Sequence, residues 1–548
     1  MTSMCNGLCG QIDIQALLAQ LVKGCAVSLL TGLLVKWYQG NRERSLNGVV
    51  KHRLQKDYVL IVGYDFQVKA LIKRILSVDD RTKVLLMTDH DVKSVRLEVG
   101  TELTPDECGR LLFIRRNPSV DRSYAGLRIR GAKAIYLMGD EGGSDRDGKM
   151  LRASEILVEK AKQEQGMSED VPVEVFLQLV VPQVYARMCS RELKMDTLVG
   201  SQGEHVFNLH VFNYYESWVW TCWSLRDSTD GEEAYLPLRF KPGARRTELF
   251  VIGGGPVVES VVGSAIKLMN YGDGERNCRI TVFANARVAP DADVARNLPE
   301  VECVACPVPA DHPDALRLMQ ETAARADTST TIVIAGESPD ATVKAYLRLP
   351  LALRCSEVSV LLWMDAPRRD LPNKALIESV GPSKIRYFGM IDQLPWMDVS
   401  RFDNAMAVNY FYSTSAALPK GTDVGLLDAA VRVWDADAAA AKWSELARWA
   451  KWSNVSSGDC LKEKAALLVG QKVTGELLWR LLKAEHNRWW TERLLADWRL
   501  GPRDNARRRH PNLVPFEDLD EPTQDLDKVS IAVMAVRGYM DIEHRKGT

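Results

Sequence analysis

A short apolar run, Tyr58-Val-Leu-Ile-Val62, stops at Gly63 and gives way to Val68, Leu71, Ile72 and Ile75 at helical spacing. The same figure returns in Glu248-Leu-Phe-Val-Ile252, which runs into Gly253-Gly254-Gly255 and then a helical stretch from Val258 to Leu268. An unbroken apolar run belongs to a strand buried on both faces, as in a parallel sheet covered by helices. Parallel neighbours need a crossover, and the crossover is right-handed. Further strands are expected at Lys83 to Met87, Leu111 to Ile114 and Ala134 to Met138, with a helix from Asp147 to Lys162. In the second half they are expected at Arg279 to Phe283, Thr331 to Ala335, Val358 to Met364 and Lys384 to Gly389. The fold class is therefore α/β. Two tandem doubly wound Rossmann-like parallel sheets form a distant internal repeat, and smaller helical parts flank them.

Composition narrows the function. The chain has 548 residues, enough for about three or four domains. Its 71 Lys+Arg against 72 Asp+Glu give a net charge of −1. No phosphate-neutralising excess exists, so no nucleic-acid partner is expected. An odd 11 cysteines suit a reducing cytoplasm rather than a disulfide scaffold. The lone pair Cys303-Val-Ala-Cys306 reads as buried strand, and no histidine has metal-ligand partners at useful spacing, so no metal site is expected.

The expected domains are an N-terminal helix over 1–45, a first Rossmann-like domain with an extension over 46–246, a second over 247–430, and a tryptophan-rich helical domain over 431–548. Residues 12–38 are apolar, with Lys23 near the centre and Lys36, Trp37, Tyr38, Arg42 and Arg44 at one edge. Two readings stand: a single span anchoring a cytoplasmic protein to the inner membrane, or an amphipathic helix docking on another protomer. Between the sheets, Val206 to Trp220 reads as strand or mixed structure. Trp218, Trp220 and Trp223 are expected in interdomain core, and Arg226 to Pro242 as a linker.

A dinucleotide turn needs glycine where the backbone approaches pyrophosphate and where helix packs on strand. The first half offers Gly63, Asp65 and Val68 at those positions, with Asp89 placed to meet a ribose. The Asp65 carboxylate would face the phosphates, which is electrostatically unfavourable. The second half offers Gly253, Gly255 and Val258, with Asn285 near the ribose position. The candidate nucleotide-binding residues are accordingly Gly63, Asp89, Gly253, Gly254 and Gly255. Gly143 to Met150 has P-loop-like glycine and lysine spacing, but Met150 stands where a Mg²⁺-holding hydroxyl belongs. Asp140, Glu141, Asp145 and Asp147 crowd it, so it reads as a charged loop opening a helix.

The order of elements through Tyr58 to Ile75, Lys83 to Asp89 and Ala134 to Gly139 resembles the RCK (TrkA-N) domains that regulate potassium channels and transporters. The resemblance covers roughly residues 50–180, with a weaker echo over 248–390. It implies a homo-oligomer, a nucleotide or ion ligand, and a membrane or membrane-protein partner.

Eight of the 14 tryptophans fall between Trp434 and Trp498. Ser453 to Gly458 reads as a loop, followed by a helix over about Thr474 to Asp497. On that helix Leu478, Leu482, Glu485, Trp489 and Glu492 share a face. Glu485 thus interrupts an apolar stripe and needs a partner, and Arg488 is the nearest candidate. His486, Trp490 and Arg493 form a neighbouring strip, and a basic loop from Arg503 to His510 follows. Tryptophan with clustered Arg and His suits a ligand with a flat ring and an anionic group; salt-bridged core is the alternative.

Glu485-His486-Asn-Arg488-Trp489, Glu492-Arg493-Leu-Leu, Trp498-Arg499, Gly501-Pro502, His510-Pro511, Leu513-Val-Pro515-Phe516, Leu519 and Asp527 together resemble the RyR (ryanodine receptor repeat) domain. The resemblance covers about 470–535, and Phe516 stands where the family often has Trp. Bacterial proteins joining RyR-like to RCK-like domains look like sensors of nucleotide-derived signals, which implies a role in antiphage defence. The candidate ligand-binding residues are Glu485, His486, Arg488, Trp489, Trp490, Arg493, Trp498, Gly501, Pro502, His510 and Pro511. No G-x-S-x-G, H-E-x-x-H or intact Walker A is present, so no catalytic residue is assigned. The leading expectation is a regulatory or effector protein sensing a nucleotide or nucleotide-derived second messenger. The alternatives are a nucleotide-processing enzyme using the Gly253 to Gly255 turn and a structural assembly module.

Overall fold

A computed structural model of the chain describes residues 56–142, 145–164, 171–199, 205–224, 244–273, 277–283, 292–354, 358–365, 384–390, 394–397, 401–468 and 471–539, with 36, 47–49, 52 and 54. Apart from Lys36, the apolar stretch 12–38 lies outside them, as do Asn285 and the linker 226–242. Among the described residues no helix is long and apolar enough to cross a membrane.

The first sheet has six strands: β1 (Tyr58–Val62), β2 (Lys83–Thr88), β3 (Leu111–Arg115), β4 (Ala132–Leu137), β5 (Val173–Gln178) and β6 (Phe207–Phe212). The second has β7 (Arg246–Gly253), β8 (Cys278–Phe283), β9 (Val301–Ala305), β10 (Thr328–Ala335), β11 (Ser359–Trp363) and β12 (Lys384–Phe388). Their orders are β3-β2-β1-β4-β5-β6 and β12-β11-β10-β7-β8-β9. Counted from its own first strand, each sheet runs 3-2-1-4-5-6, the order of dinucleotide-binding sheets. All pairs within both sheets are parallel. Each sheet therefore reverses its winding once, between β1 and β4 and between β7 and β10, and leaves a crevice at the carboxyl ends of those strands.

The helices used below are α1 (Val68–Val78), α2 (Arg146–Gln163), α3 (Pro182–Cys189), α4 (Tyr214–Ser224), α5 (Gly255–Leu268), α6 (Arg401–Thr414), α7 (Ala436–Glu445), α8 (Arg448–Asp459), α9 (Leu461–Ala466), α10 (Gly475–Leu495) and α11 (Lys528–Val536). Helix α1 forms because Val68, Leu71, Ile72 and Leu76 fall on one stripe, and all four are buried against the sheet. Each such side chain contributes about 1.5–3 kcal/mol by leaving water. The Val206 to Trp220 stretch proves mixed, giving β6 and then α4. Trp218 and Trp223 lie in the core cluster that also holds Val251 of the second sheet and Val258 of α5, so α4 joins the two halves.

One expectation fails plainly. Ser453 to Gly458 is not a loop but part of α8. Their smallness serves packing: a Cβ on Gly458 would sit 3.0 Å from the Ala405 nitrogen and from Asn404 Cβ on α6. Ser456 and Ser457 face inward and bond the charged groups of α10. Tertiary contact thus overrides the loop preference of Ser and Gly. The helical module begins with α6, which packs on α7, α8 and α11, ahead of the boundary placed at residue 431.

Candidate functional site

The two crevices have the same topology and different contents. In the first, Gly63 turns with φ +90° at the end of β1. Asp65, fully buried, follows, and its Oδ1 accepts from the amides of Gln67 (3.0 Å) and Val68 (3.2 Å) at the start of α1. Those amides would otherwise greet a ligand's phosphate. Arg146, at the start of α2, donates from Nη2 to Asp65 Oδ2 and from Nε to the Met138 carbonyl at 3.0 Å. Burial pushes the Asp65 carboxyl up, and Arg146 with the two amides opposes that rise. Beside them Asp140 accepts from the Tyr64 amide (2.9 Å), the Thr88 hydroxyl and the Asp89 amide (3.2 Å). Asp89 itself faces Lys149 at 3.6 Å.

The second crevice is open. A cavity of about 860 Å³ is floored by Gly253, Gly254 and Gly255, within the range of small-molecule sites. Gly253 has φ +130°, and a Cβ there would fall 1.8 Å from the Ala335 carbonyl oxygen, so β7 and β10 can close up only on glycine. Helix α5 starts at Gly255, and its N-cap Gly254 has no side chain to occupy the first amides. Phe283 and Trp363 give aromatic walls, and Phe66, Glu141 and Tyr215 reach in from the first half. Four carboxylates line it: Glu141, Glu259, Glu337 and Asp365, with no lysine or arginine among the described lining residues. Burial raises the pKa of Glu141, Glu259 and Asp365, and at Glu141 the Asp65 charge adds to the rise.

Glu259 also lines a neighbouring cavity of about 300 Å³ that reaches Glu492, Leu494 and Leu495 of α10. Helix α10 is capped by Thr474, whose hydroxyl accepts from the Leu477 amide at 3.2 Å. The candidate residues on it divide into two groups. Glu485 and Arg488, each 1% exposed, belong to an internal network. Arg488 Nη2 donates to Glu485 Oε1 at 2.8 Å and Nη1 to Glu492 Oε2 at 2.5 Å, while Lys464 of α9 bonds Glu485 Oε2. Ser457 donates to Glu485 at 2.9 Å, and Arg488 Nη1 donates to Ser456 at 3.1 Å. His486 is buried on the Val514 carbonyl at 2.8 Å.

The second group gathers at the α10 carboxyl end. The Arg493 guanidinium carbon lies 5.6 Å from the Trp489 ring centroid and 5.1 Å from that of Trp498. Its Nε and the Trp498 Nε1 are buried without a hydrogen-bond partner among the described residues. His510 meets Trp489 edge-on at 5.0 Å. Burial, then the Arg503 and Arg493 charges, pushes the His510 pKa down to about 4. Trp490 is half-buried, packed against the Ala496, Trp498 and Leu513 cluster. Gly501 is half-buried, and Pro502 and Pro511 are exposed on the adjoining turns. Among the described residues no cluster of His, Cys, Asp and Glu could hold a metal ion. Cys303 and Cys306 lie on and after the edge strand β9, half-buried and unbridged.

Sequence reasoning missed Arg146, whose partner lies 81 residues away. It also missed the acidic ring of the second crevice, which is assembled from both halves.

The chain is thus a tandem Rossmann-like α/β protein with a helical C-terminal module. No protein-family model matches it, and the search of curated proteins found no match. Among solved structures, "GsuK Channel" aligns at TM-score 0.41 and 13% identity over 72% of this chain and 84% of that chain. "GsuK channel bound to NAD" aligns at TM-score 0.39 and 12% identity over 72% and 74%. "Crystal Structure of the GsuK RCK domain" aligns at TM-score 0.33 and 10% identity over 64% and 79%.

Proposed function

We propose that the protein is a ligand-sensing regulatory or effector protein whose nucleotide-type ligand enters the crevice of the second sheet. One observation carries the reading: of two crevices with the same strand order, the first holds a bonded Asp65–Arg146 pair with the first α1 amides turned onto Asp65, and the second is a cavity lined from both halves whose α5 amides meet no capping side chain. A ligand touching both halves favours one arrangement of them over another, which is what sensing requires. Carboxylates suit sugar hydroxyls and a base edge, and the glycine floor with the α5 amides is the part of the cavity suited to phosphates. Helix α5 packs directly on α10, and Glu259 faces both cavities, so the change has a short route to the tryptophan-rich module. There Arg493, between two indoles, is the group suited to a ligand's anionic part. On the RCK and RyR resemblances, the assembly is a homo-oligomer and the output is control of ion flux or membrane integrity in antiphage defence.

The test is calorimetric titration of the full chain with NAD, ADP and adenosine, with chromatography of the mixture afterwards. Saturable binding without consumption, weakened at least about tenfold by Trp363→Ala, is expected. No binding of any of the three would remove the reading, and appearance of product would replace it with an enzyme.

A further inference from the structure

A separate cavity of about 190 Å³ lies where the first sheet meets the helical module. Strand β6 is the last of its sheet, so one side of its backbone has no neighbouring strand. Asn208, Leu209, His210, Val211 and Phe212 all line the cavity. Consecutive side chains on a strand point to opposite faces, so a wall made of five in succession is met edge-on. The cavity therefore looks onto the outward amides and carbonyls of an edge strand, which seek hydrogen-bond partners.

The rest of the lining is rich in aromatic rings. The Trp443 and Phe402 ring centroids stand 6.4 Å apart, and Trp396 stacks on Phe212 of β6 at 4.4 Å with an interplanar angle of 16°. Three basic side chains line the space, and two are already matched. Arg448 donates to both Asp196 oxygens at 2.9 Å, and His210 meets Glu174 at 2.7 Å. Lys451 has no hydrogen bond or ion pair among the described residues; its Nζ stands 5.1 Å from the Trp443 ring centroid. Burial pushes its pKa down, the mark of a charge that lacks compensation. Half-buried cations are ordinarily paired, and the cost of leaving one unpaired is relieved by an incoming anion. In size the space exceeds the roughly 150 Å³ cavity that accommodates benzene.

We infer that this cavity is a binding site for a small planar aromatic anion. Its ring lies against the Trp443 and Trp396 indoles, its polar edge reads the free edge of β6, and its negative group meets Lys451 Nζ. The site does not depend on the second-sheet crevice, with which it shares no lining residue.

The experiment is a tryptophan-fluorescence titration of the full chain with orotate and benzoate, with neutral uracil as the comparison. Saturable quenching by orotate or benzoate is expected, with uracil at least about tenfold weaker, as loss of a charge-assisted hydrogen bond requires. Lys451→Met should weaken the anions by a similar factor, and Lys451→Arg should restore most of the affinity. Circular dichroism and the unfolding midpoint establish that each variant is folded. The inference is overturned if neither anion quenches saturably, if uracil binds as tightly, or if folded Lys451→Met binds both anions like the parent.

Discussion

Arg146 reaches back across 81 residues to bond the carboxylate of Asp65 at the carboxyl end of the first sheet. Asp65 is fully buried, so removing its partner leaves a buried charge without its cation. Arg146→Met should cost about 3–5 kcal/mol. Adding Asp65→Asn should recover part of that loss, because the stranded charge goes with it. Urea unfolding of the single and double variants measures the difference. Equal stability of Arg146→Met and the parent would show that the pair does not stabilise the fold.

The glycine floor of the second crevice is unevenly demanding. Gly253 has positive φ and faces the Ala335 carbonyl at a distance no Cβ tolerates, whereas Gly254 is extended with nothing within 4 Å of an added Cβ. Gly253→Ala should destabilise by at least about 2 kcal/mol, from left-handed strain and overlap together. Gly254→Ala should fall within about 0.5 kcal/mol of the parent. Paired denaturant curves would reveal it, and matching losses at both positions would contradict the geometry.

His510 should titrate far below an ordinary histidine, at about 4 rather than 6.5. A folded pKa below the unfolded one means that the folded state binds fewer protons between those values. The stability tied to His510 is thus complete above pH 6.5 and is lost as pH falls through about 4. Arg503→Gln should move the titration upward by removing one of the two charges that depress it. A ring-proton NMR titration of parent and variant reads this directly; a midpoint near 6.5 in the parent would refute the placement of His510 among Arg503 and Arg493.

The network on α10 should behave as one unit. Glu485→Ala leaves Arg488 and Lys464 facing each other without their shared anion, and should cost about 3–5 kcal/mol. Ser457→Ala removes one hydrogen bond and should cost about 1 kcal/mol. In a double-mutant cycle the two losses should add to more than the combined variant shows, since among the described residues the Ser457 hydroxyl bonds Glu485 alone. Strict additivity would mean that the two residues act apart.

The strands were the most legible part of this sequence, because Tyr58 to Val62 or Thr331 to Ala335 can hide both faces only in a helix-covered parallel sheet. Strands β5 and β6 were harder, since Glu174, Asn208 and His210 interrupt their apolar pattern at the edge of the sheet. The need of Glu485 for Arg488 was readable because three residues on a helix make one contact. Helix α8 was misread because Ser456, Ser457 and Gly458 are small for reasons supplied by α6 and α10. The contents of the crevices were not readable at all: Asp65 looked like an obstacle to phosphate, but only folding brings Arg146 to it. Three carboxylates from separate loops, with Glu259 of α5, converge on the other crevice in the same way.

The two sheets share one strand order and carry unlike crevices: a buried Arg146–Asp65 ion pair stands in one, and four carboxylates line the other. Added salt eases the like-charge repulsion of the second and leaves the buried pair of the first nearly untouched, so ionic strength acts on the two halves unequally.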